Sequence, residues 1–122
     1  MKRDMDLCRQ ILFKLEEMDR PPRGTADFEG RFREAPAELY YQVYLLKDAG
    51  LIEAMDARSS SGDRWLPQKI TWAGQEFLDA ARSDTVWSKA RARATEVGGT
   101  LAYQILKELC LQYAREQLGL QR

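Results

Sequence analysis

The side chains of this 122-residue sequence that are best suited to chemistry are tyrosines and cations in two neighbouring segments. They are Tyr40, Tyr41, Tyr44, Lys47, Arg58 and Arg64. Phenolic hydroxyls hydrogen-bond to phosphates and base edges, and ammonium and guanidinium groups bind phosphates. We interpret the six residues as candidate contacts to a nucleic acid. The alternative is that the tyrosines pack beneath the C-terminal helices or at a dimer contact, which suits an apolar ring with a polar tip equally well.

The sequence offers no recognisable residue set for acid–base catalysis, metal binding or nucleophilic catalysis. The sequence contains no histidine, which removes the usual general base near neutral pH and the commonest transition-metal ligand. Cys8 and Cys110 are far apart and form no CxxC pair, so we interpret them as small core residues, a disulfide between them being the alternative. Ser59–Ser61 have no base supplied by a recognised motif. We therefore expect no enzyme, no metal and no cofactor.

Charge is balanced along the chain. Lys and Arg together number 19, as do Asp and Glu. Residues 1–35 balance at eight against eight, and residues 36–70 carry four basic residues against five acidic ones. Phosphate neutralisation supplies most nonspecific affinity for DNA, so this balance argues against a strongly electrostatic nucleic-acid binder. Other cations either supplement a phosphate-binding surface or solvate helix faces; they are Lys2, Arg3, Arg9, Lys89, Arg91 and Arg93.

Helical periodicity and chain breakers define the first elements. An amphipathic helix is expected over Asp4–Met18, since apolar residues recur at helical spacing and Pro21-Pro22 follow. Phe28–Phe32 alternates apolar and polar residues and predicts a brief strand. A second helix over Ala37–Ala49 ends at Gly50, which can supply a left-handed cap.

The second helix is expected to be apolar inside and tyrosine-rich outside. On a helical wheel Leu39, Val43 and Leu46 share the core face, with Gln42 at its margin. The three tyrosines and Lys47 fall on the other side. This helix therefore presents the candidate site.

A two-stranded hairpin comes next. Leu51–Arg58 and Trp65–Thr71 flank Ser59–Asp63, a small polar run with glycine that predicts a turn. Pro67 lacks an amide hydrogen, which confines it to a sheet edge or to the beginning of a strand. The hairpin is therefore expected to be exposed on one side.

The rest of the chain is expected to be helical. Thr71 is suited to cap a third helix beginning at Trp72, and Asp84 predicts a fresh cap or a kink before helix continues to about Glu96. A last helix spans Thr100–Leu118. The tryptophans are interpreted as packing residues: Trp65 and Trp72 as core anchors, and Trp87 between the third and last helices. The alternative for Trp65 and Trp72 is an exposed stacking role.

This order of elements is the order of a winged-helix domain. The segments LLKDAGLI (residues 45–52) and ITWAGQEFL (residues 70–78) have the form that such domains use before and after the wing. Gly50 supplies the positive φ that turns the helix into the strand, and Gly74 lets the next helix approach its neighbour closely.

We therefore predict a mostly α chain with a small β hairpin, in the α+β class: a winged helix-turn-helix with C-terminal helical extensions. A single domain is expected over residues 1–122, with its winged-helix core in residues 1–82 and C-terminal helices suited to dimerisation in residues 83–122.

The sequence also resembles a family of short, uncharacterised bacterial proteins, frequent in phages and prophages and known as a domain of unknown function. The resemblance rests on MKRDMDLCRQIL, VYLLKDAGLIEA and ITWAGQEFLDAARSDTVWSKA and covers most of the chain except residues 20–36. Gln42 stands where His is expected in many relatives. The resemblance implies a winged-helix fold and a phage-linked or regulatory context, and it brings no catalytic residue.

The last helix predicts self-association. Its apolar face spans about half the wheel, which exceeds what one small domain needs to cover. The candidate dimer contacts are Ile105, Leu106, Leu109 and Tyr113. The alternative is a monomer in which this helix packs on the first and third helices.

Together these features predict a DNA-binding or accessory transcriptional regulator of phage or bacterial genes. The expected partners are double-stranded DNA and a second copy of the chain. The alternative is a protein-interaction module that keeps the winged-helix fold without binding DNA. A cytoplasmic location without membrane contact is expected, because no apolar run approaches about 18 residues and the start lacks a secretory signal.

Overall fold

The computed structural model describes residues 1–58, 62–98 and 102–119. Their elements are α1 (Met5–Glu17), α2 (Thr25–Glu29), α3 (Pro36–Asp48), β1 (Ile52–Asp56), β2 (Trp65–Ile70), α4 (Trp72–Ala80), α5 (Asp84–Gly98) and α6 (Tyr103–Gln117). The described chain is thus mostly helical with a small two-stranded antiparallel sheet, which confirms the predicted α+β class. None of its described helices is both long and apolar enough to cross a membrane.

The chain divides into two compact units, Met1–Gln75 and Glu76–Arg122, with the boundary inside α4. In the first unit α1 packs on α3 and β2, and α3 packs on both strands. The second unit contains the end of α4 together with α5 and α6, which pack on each other.

Helix α1 begins and ends where the sequence predicts. The Asp4 side chain caps it by accepting a hydrogen bond from the Leu7 amide at 3.1 Å. At its other end Met18 is already extended, before the prolines. The apolar face is buried as expected, with Ile11 and Leu12 fully enclosed.

The strand predicted at Phe28–Phe32 is wrong. Phe28 and Glu29 are the last residues of the short helix α2, and the turn after this helix begins at Gly30. The two phenylalanines are four residues apart, so their spacing fits a helical face as well as a strand. Their ring centroids lie 5.1 Å apart. Asp27 accepts a hydrogen bond from the Arg23 amide at 3.0 Å, which holds its pKa below the usual value and stabilises the first turn. Five residues are too few for periodicity to distinguish the two structures.

The exit from α3 is a Schellman motif. Gly50 has φ of +79°. Its amide donates to the Lys47 carbonyl at 3.0 Å, and the Leu51 amide donates to the Leu46 carbonyl at 2.9 Å. This cap confirms the predicted helix end and sends the chain directly into β1.

The predicted hairpin is confirmed. Its strands pair from Ile52 opposite Ile70 to Asp56 opposite Trp65, with a register shift that leaves Gln68 as an extra residue on β2. The predicted turn lies partly outside the described residues, at positions 59–61.

Thr71 caps α4 as predicted. Its hydroxyl oxygen accepts a hydrogen bond from the Gly74 amide at 3.1 Å and donates to the Gly50 carbonyl at 2.6 Å. The same residue therefore ties the start of α4 to the exit of α3. The cap of α5 is Ser83 rather than Asp84, since the Ser83 hydroxyl oxygen accepts from the Val86 amide at 3.2 Å.

The three tryptophans have different environments. Trp87 is buried as predicted and meets Phe77 edge-on, with centroids 6.1 Å apart. Trp65 is only half-buried. The interpretation of Trp72 as a core anchor is wrong, because its side chain is 83% exposed. Trp72 is the first residue of α4, and the side of the helix turned to the hairpin is taken by Gly74 instead.

Both cysteines are buried free thiols, so the disulfide alternative is not realised. Burial, reinforced by the nearby Asp4 carboxylate, raises the pKa of Cys8 to about 12. Since the thiolate is the reactive form, we expect the native protein at about pH 8 to resist a thiol reagent at both positions. Protein unfolded in guanidinium should react with two equivalents of the reagent, which a colorimetric thiol assay measures. Fast native reaction at either cysteine would contradict this expectation.

Candidate nucleic-acid interface

The outer side of α3 and the adjoining hairpin form a cleft of about 540 Å³. The residues that line it are Met1, Ala37, Tyr40, Tyr41, Tyr44, Arg58, Asp63 and Trp65. Its volume is in the range of small-molecule pockets, and half of its lining residues are aromatic. Four of the six predicted site residues are therefore neighbours, although they come from two elements.

Tyr40 is not on the outer face as predicted. Its side chain is 3% exposed, and its hydroxyl donates a hydrogen bond to the Glu29 carboxylate at 2.8 Å. Burial, with the Glu29 hydrogen bond second, raises the pKa of Tyr40 to about 12. The reason for the error is α2, which was missed as a helix: its Phe28 ring lies 5.8 Å from the Tyr40 ring and covers this side of α3.

Arg64 shares the same carboxylate. Its guanidinium forms an ion pair with Glu29 and stands 5.3 Å from the centroid of the Tyr40 ring. These three side chains join α2, α3 and the start of β2 in one partly buried cluster. The Glu29 carboxylate is partly buried and accepts hydrogen bonds from both Tyr40 and Arg64. Removing either partner costs stability, so Arg64 has a structural role in the free protein.

Arg58 is also engaged, but in solvent. Its Nε donates to both carboxylate oxygens of Asp56, at 2.9 and 2.8 Å. Hydrogen bonds from Arg58 hold the pKa of Asp56 below its usual value, and the same pair raises the pKa of Arg58. An exposed pair of this kind contributes little to stability and exchanges easily with another anion.

Trp65 lines the cleft, and Lys47 lies against the Trp65 ring. The Lys47 ammonium lies 4.6 Å from the centroid of the Trp65 ring, within cation–π range. The Arg58 guanidinium stands 5.9 Å from the same ring. Trp65 is therefore a site residue, in agreement with the alternative of a stacking role rather than with a core anchor.

The tyrosines that remain accessible are Tyr41 and Tyr44. Tyr44 is 43% exposed, and Tyr41 is half-buried. Both line the cleft. They can present hydroxyl groups and ring edges to a bound molecule, whereas Tyr40 contributes mainly to the floor.

Sequence analysis missed Glu29 and Asp56, the two carboxylates that hold the arginines. The Asp56–Arg58 pair is two residues apart in a strand end, so its spacing was visible. The Glu29–Arg64 pair spans 35 residues and had no local signal. Among the described residues no group of three or more histidine, cysteine or acidic side chains is placed to hold a metal ion.

The candidate dimer residues on α6 differ in exposure. Ile105 is exposed, whereas Leu109 and Tyr113 are half-buried. Leu106 is fully buried in a single copy of the chain, so it offers no side-chain surface to a partner. The homodimer stays a prediction that rests on the other three residues.

Comparison with known proteins gives the family and no activity. The family model described as "Hypothetical protein (DUF2513)" matches residues 2–100. A protein of Haemophilus influenzae described as "Uncharacterized protein" is 35% identical over 119 residues, which is 98% of this chain and 100% of the relative. No solved structure matches the chain. The match over most of the length confirms the resemblance to a family of unknown function, and the chain belongs to the DUF2513 family.

Proposed function

We propose that α1, α2, α3, the hairpin and the start of α4 form a winged-helix unit, with α3 as recognition helix and β1–β2 as wing. On this proposal the chain is a DNA-binding or accessory transcriptional regulator of bacterial or phage genes. The observation that carries the proposal is the junction at Gly50 and Thr71. The Schellman cap and the Thr71 hydroxyl bring the hairpin directly beside the exit of α3.

The dimensions of α3 suit a duplex groove. Its 13 residues extend about 20 Å at 1.5 Å per residue, and a helix of this kind enters a major groove about 12 Å wide. Tyr41, Tyr44 and Lys47 would meet bases or phosphates, while Arg58 would exchange its Asp56 partner for a phosphate. Arg64 would stay with Glu29 and support the surface from behind.

Binding should depend on salt, and this dependence tests the proposal. Two to four phosphate contacts give a slope of about −2 to −4 in log affinity against log salt. The measurement is fluorescence anisotropy of a labelled random duplex between about 50 and 200 mM salt. No binding at the low-salt end would overturn the proposal.

Two single substitutions test the face itself. Tyr44→Ala and Lys47→Ala are each expected to weaken duplex binding about tenfold, equivalent to about 1.4 kcal/mol. Tyr44→Phe separates the hydroxyl from the ring, because it removes only the hydrogen-bonding group. Lys14→Ala, which removes one charge from α1, is the matched control for Lys47→Ala. If all these variants bind like the unmodified chain, α3 is not the reading helix.

A protein-interaction module is the second candidate, and the ion pairs favour it. The cations of the cleft are engaged by carboxylates or aromatic rings, and residues 36–70 carry a net charge of −1. Aromatic side chains such as Tyr44 are enriched at protein interfaces. This candidate predicts that Tyr44→Ala weakens capture of a protein partner while duplex DNA is not bound at any salt concentration.

A further inference from the structure

Gln42 fastens the start of the chain to α3. Its side chain is fully buried, and its amide group forms two hydrogen bonds with main-chain atoms. The side-chain oxygen accepts from the Asp4 amide at 2.8 Å, and the side-chain nitrogen donates to the Lys2 carbonyl at 3.0 Å. The Cys8 thiol lies 3.6 Å from the same oxygen. The carboxamide thus pairs with residues 2 and 4 as a neighbouring strand would, and it fixes their path.

This path runs along the first turn of α3. Lys2 and Arg3 are exposed and, together with Ala35, Ala37 and Glu38, line an open cleft of about 570 Å³. Met1 lines both this cleft and the aromatic cleft between α3 and the hairpin. The two clefts are therefore adjacent at the N-terminal end of the proposed recognition helix.

We propose that residues 1–4, named here the N-terminal arm, are part of the DNA-contacting face and bind backbone phosphate through Lys2 and Arg3. Gln42 is the positioning residue that holds the arm there. This inference rests on the proposed function, since it names the phosphate-binding part of the same surface.

The electrostatics of the cleft fit a phosphate group. The side chains of the arm, Lys2, Arg3 and Asp4, add a net charge of +1 beside residues 36–70, which by themselves carry a net charge of −1. Ala35 precedes α3 and gives no side-chain cap, so the partial positive charge of the helix start faces the same cleft. The opposing carboxylates are Asp4, which is engaged by the Leu7 amide, and Glu38 in the first turn of α3.

The arm explains a disagreement between fold and charge. A recognition helix within an acidic segment has few of the phosphate contacts that orient a protein on DNA. Gln42 holds Lys2 and Arg3 beside the N-terminal end of α3, from 40 residues away along the chain, and the two cations add phosphate contacts to those of Lys47 and Arg58.

The test is the salt dependence of duplex binding by the full chain and by the double variant Lys2→Ala/Arg3→Ala. Loss of two phosphate contacts is expected to reduce the slope of log affinity against log salt by about 2, and to weaken binding about tenfold or more at about 100 mM salt. The control is Lys14→Ala/Arg20→Ala, which removes the same charge at and beyond the other end of α1. Its slope should equal that of the unmodified chain.

The positioning role of Gln42 has its own readout. Gln42→Met keeps a similar volume and removes both hydrogen bonds to the arm, so it should reduce the salt slope as the double variant does. Gln75→Met is the matched control, because it makes the same substitution and removes the hydrogen bond from Gln75 to Glu16 but none to the arm. It should leave the slope unchanged. Circular dichroism identifies any variant that fails to fold, and the double variant, at exposed positions, then decides alone.

The outcomes separate the two proposals. If the unmodified chain does not bind duplex DNA even at about 50 mM salt, the proposed function fails. If it binds and the Lys2→Ala/Arg3→Ala variant keeps the same slope and affinity, the arm inference is overturned while the proposed function stands.

Discussion

Gly74→Ala is expected to destabilise the first unit by about 3 kcal/mol or more, enough to unfold a marginally stable chain. A Cβ atom at this position would lie 2.0 Å from the Leu51 carbonyl oxygen and 2.7 Å from the Ile70 side chain. The carbonyl cannot retreat without cost, because it accepts the hydrogen bond from the Thr71 amide at 3.0 Å. Urea unfolding followed by circular dichroism measures the loss.

Gly24→Ala is the matched control for this substitution. Gly24 has an extended backbone with φ of 179°, and no atom lies within 4 Å of an added Cβ. Its free energy of unfolding should therefore change by less than about 1 kcal/mol. Equal effects of the two substitutions would show that close contact between α4 and the hairpin does not limit position 74.

The second large effect is expected at Trp87. Trp87→Ala removes a buried indole that contacts Phe77, and it should cost about 3 to 5 kcal/mol of unfolding free energy. Trp72→Ala removes a side chain that is 83% exposed and should change the free energy of unfolding by less than about 0.5 kcal/mol. Thermal and urea unfolding of both variants provide the comparison.

The two tryptophan variants also test the assignment of Trp72 to the surface. The side chain removed is the same, so a difference between them reports the different surroundings of the two indoles. A cost for Trp72→Ala close to that for Trp87→Ala would return Trp72 to the core, as its apolar character first suggested. Indole fluorescence adds a second measure, because an exposed tryptophan is quenched more readily by iodide.

The sequence predicts the bounds of an element where a residue caps or turns the nearby backbone by itself. Gly50 adopts a positive φ that other residues avoid, and the Thr71 hydroxyl reaches an amide three residues away. Such signals act within one turn of chain and need no distant partner. They explain why α1, α3, the hairpin and the start of α4 were predicted nearly at their observed bounds.

The strand predicted in place of α2 has a local cause, because the segment is very short. Phe28 and Phe32 fit one face of a helix or alternate positions near a strand, and a segment of five residues repeats neither pattern. Only packing resolves it, since Phe28 is buried against Tyr40 and Phe32. That one element then altered the site by covering Tyr40.

The sequence by itself determined the composition of the candidate site: aromatic and cationic, without histidine, and slightly acidic over residues 36–70. It also determined that α3 and the hairpin adjoin. The tertiary structure decided which of these groups are available, because the deciding contacts join residues far apart in the chain. Glu29 holds Arg64 across 35 residues, and Gln42 holds the N-terminal arm across 40. Pairings at such separations depend on how helices pack, and local residue patterns do not encode them.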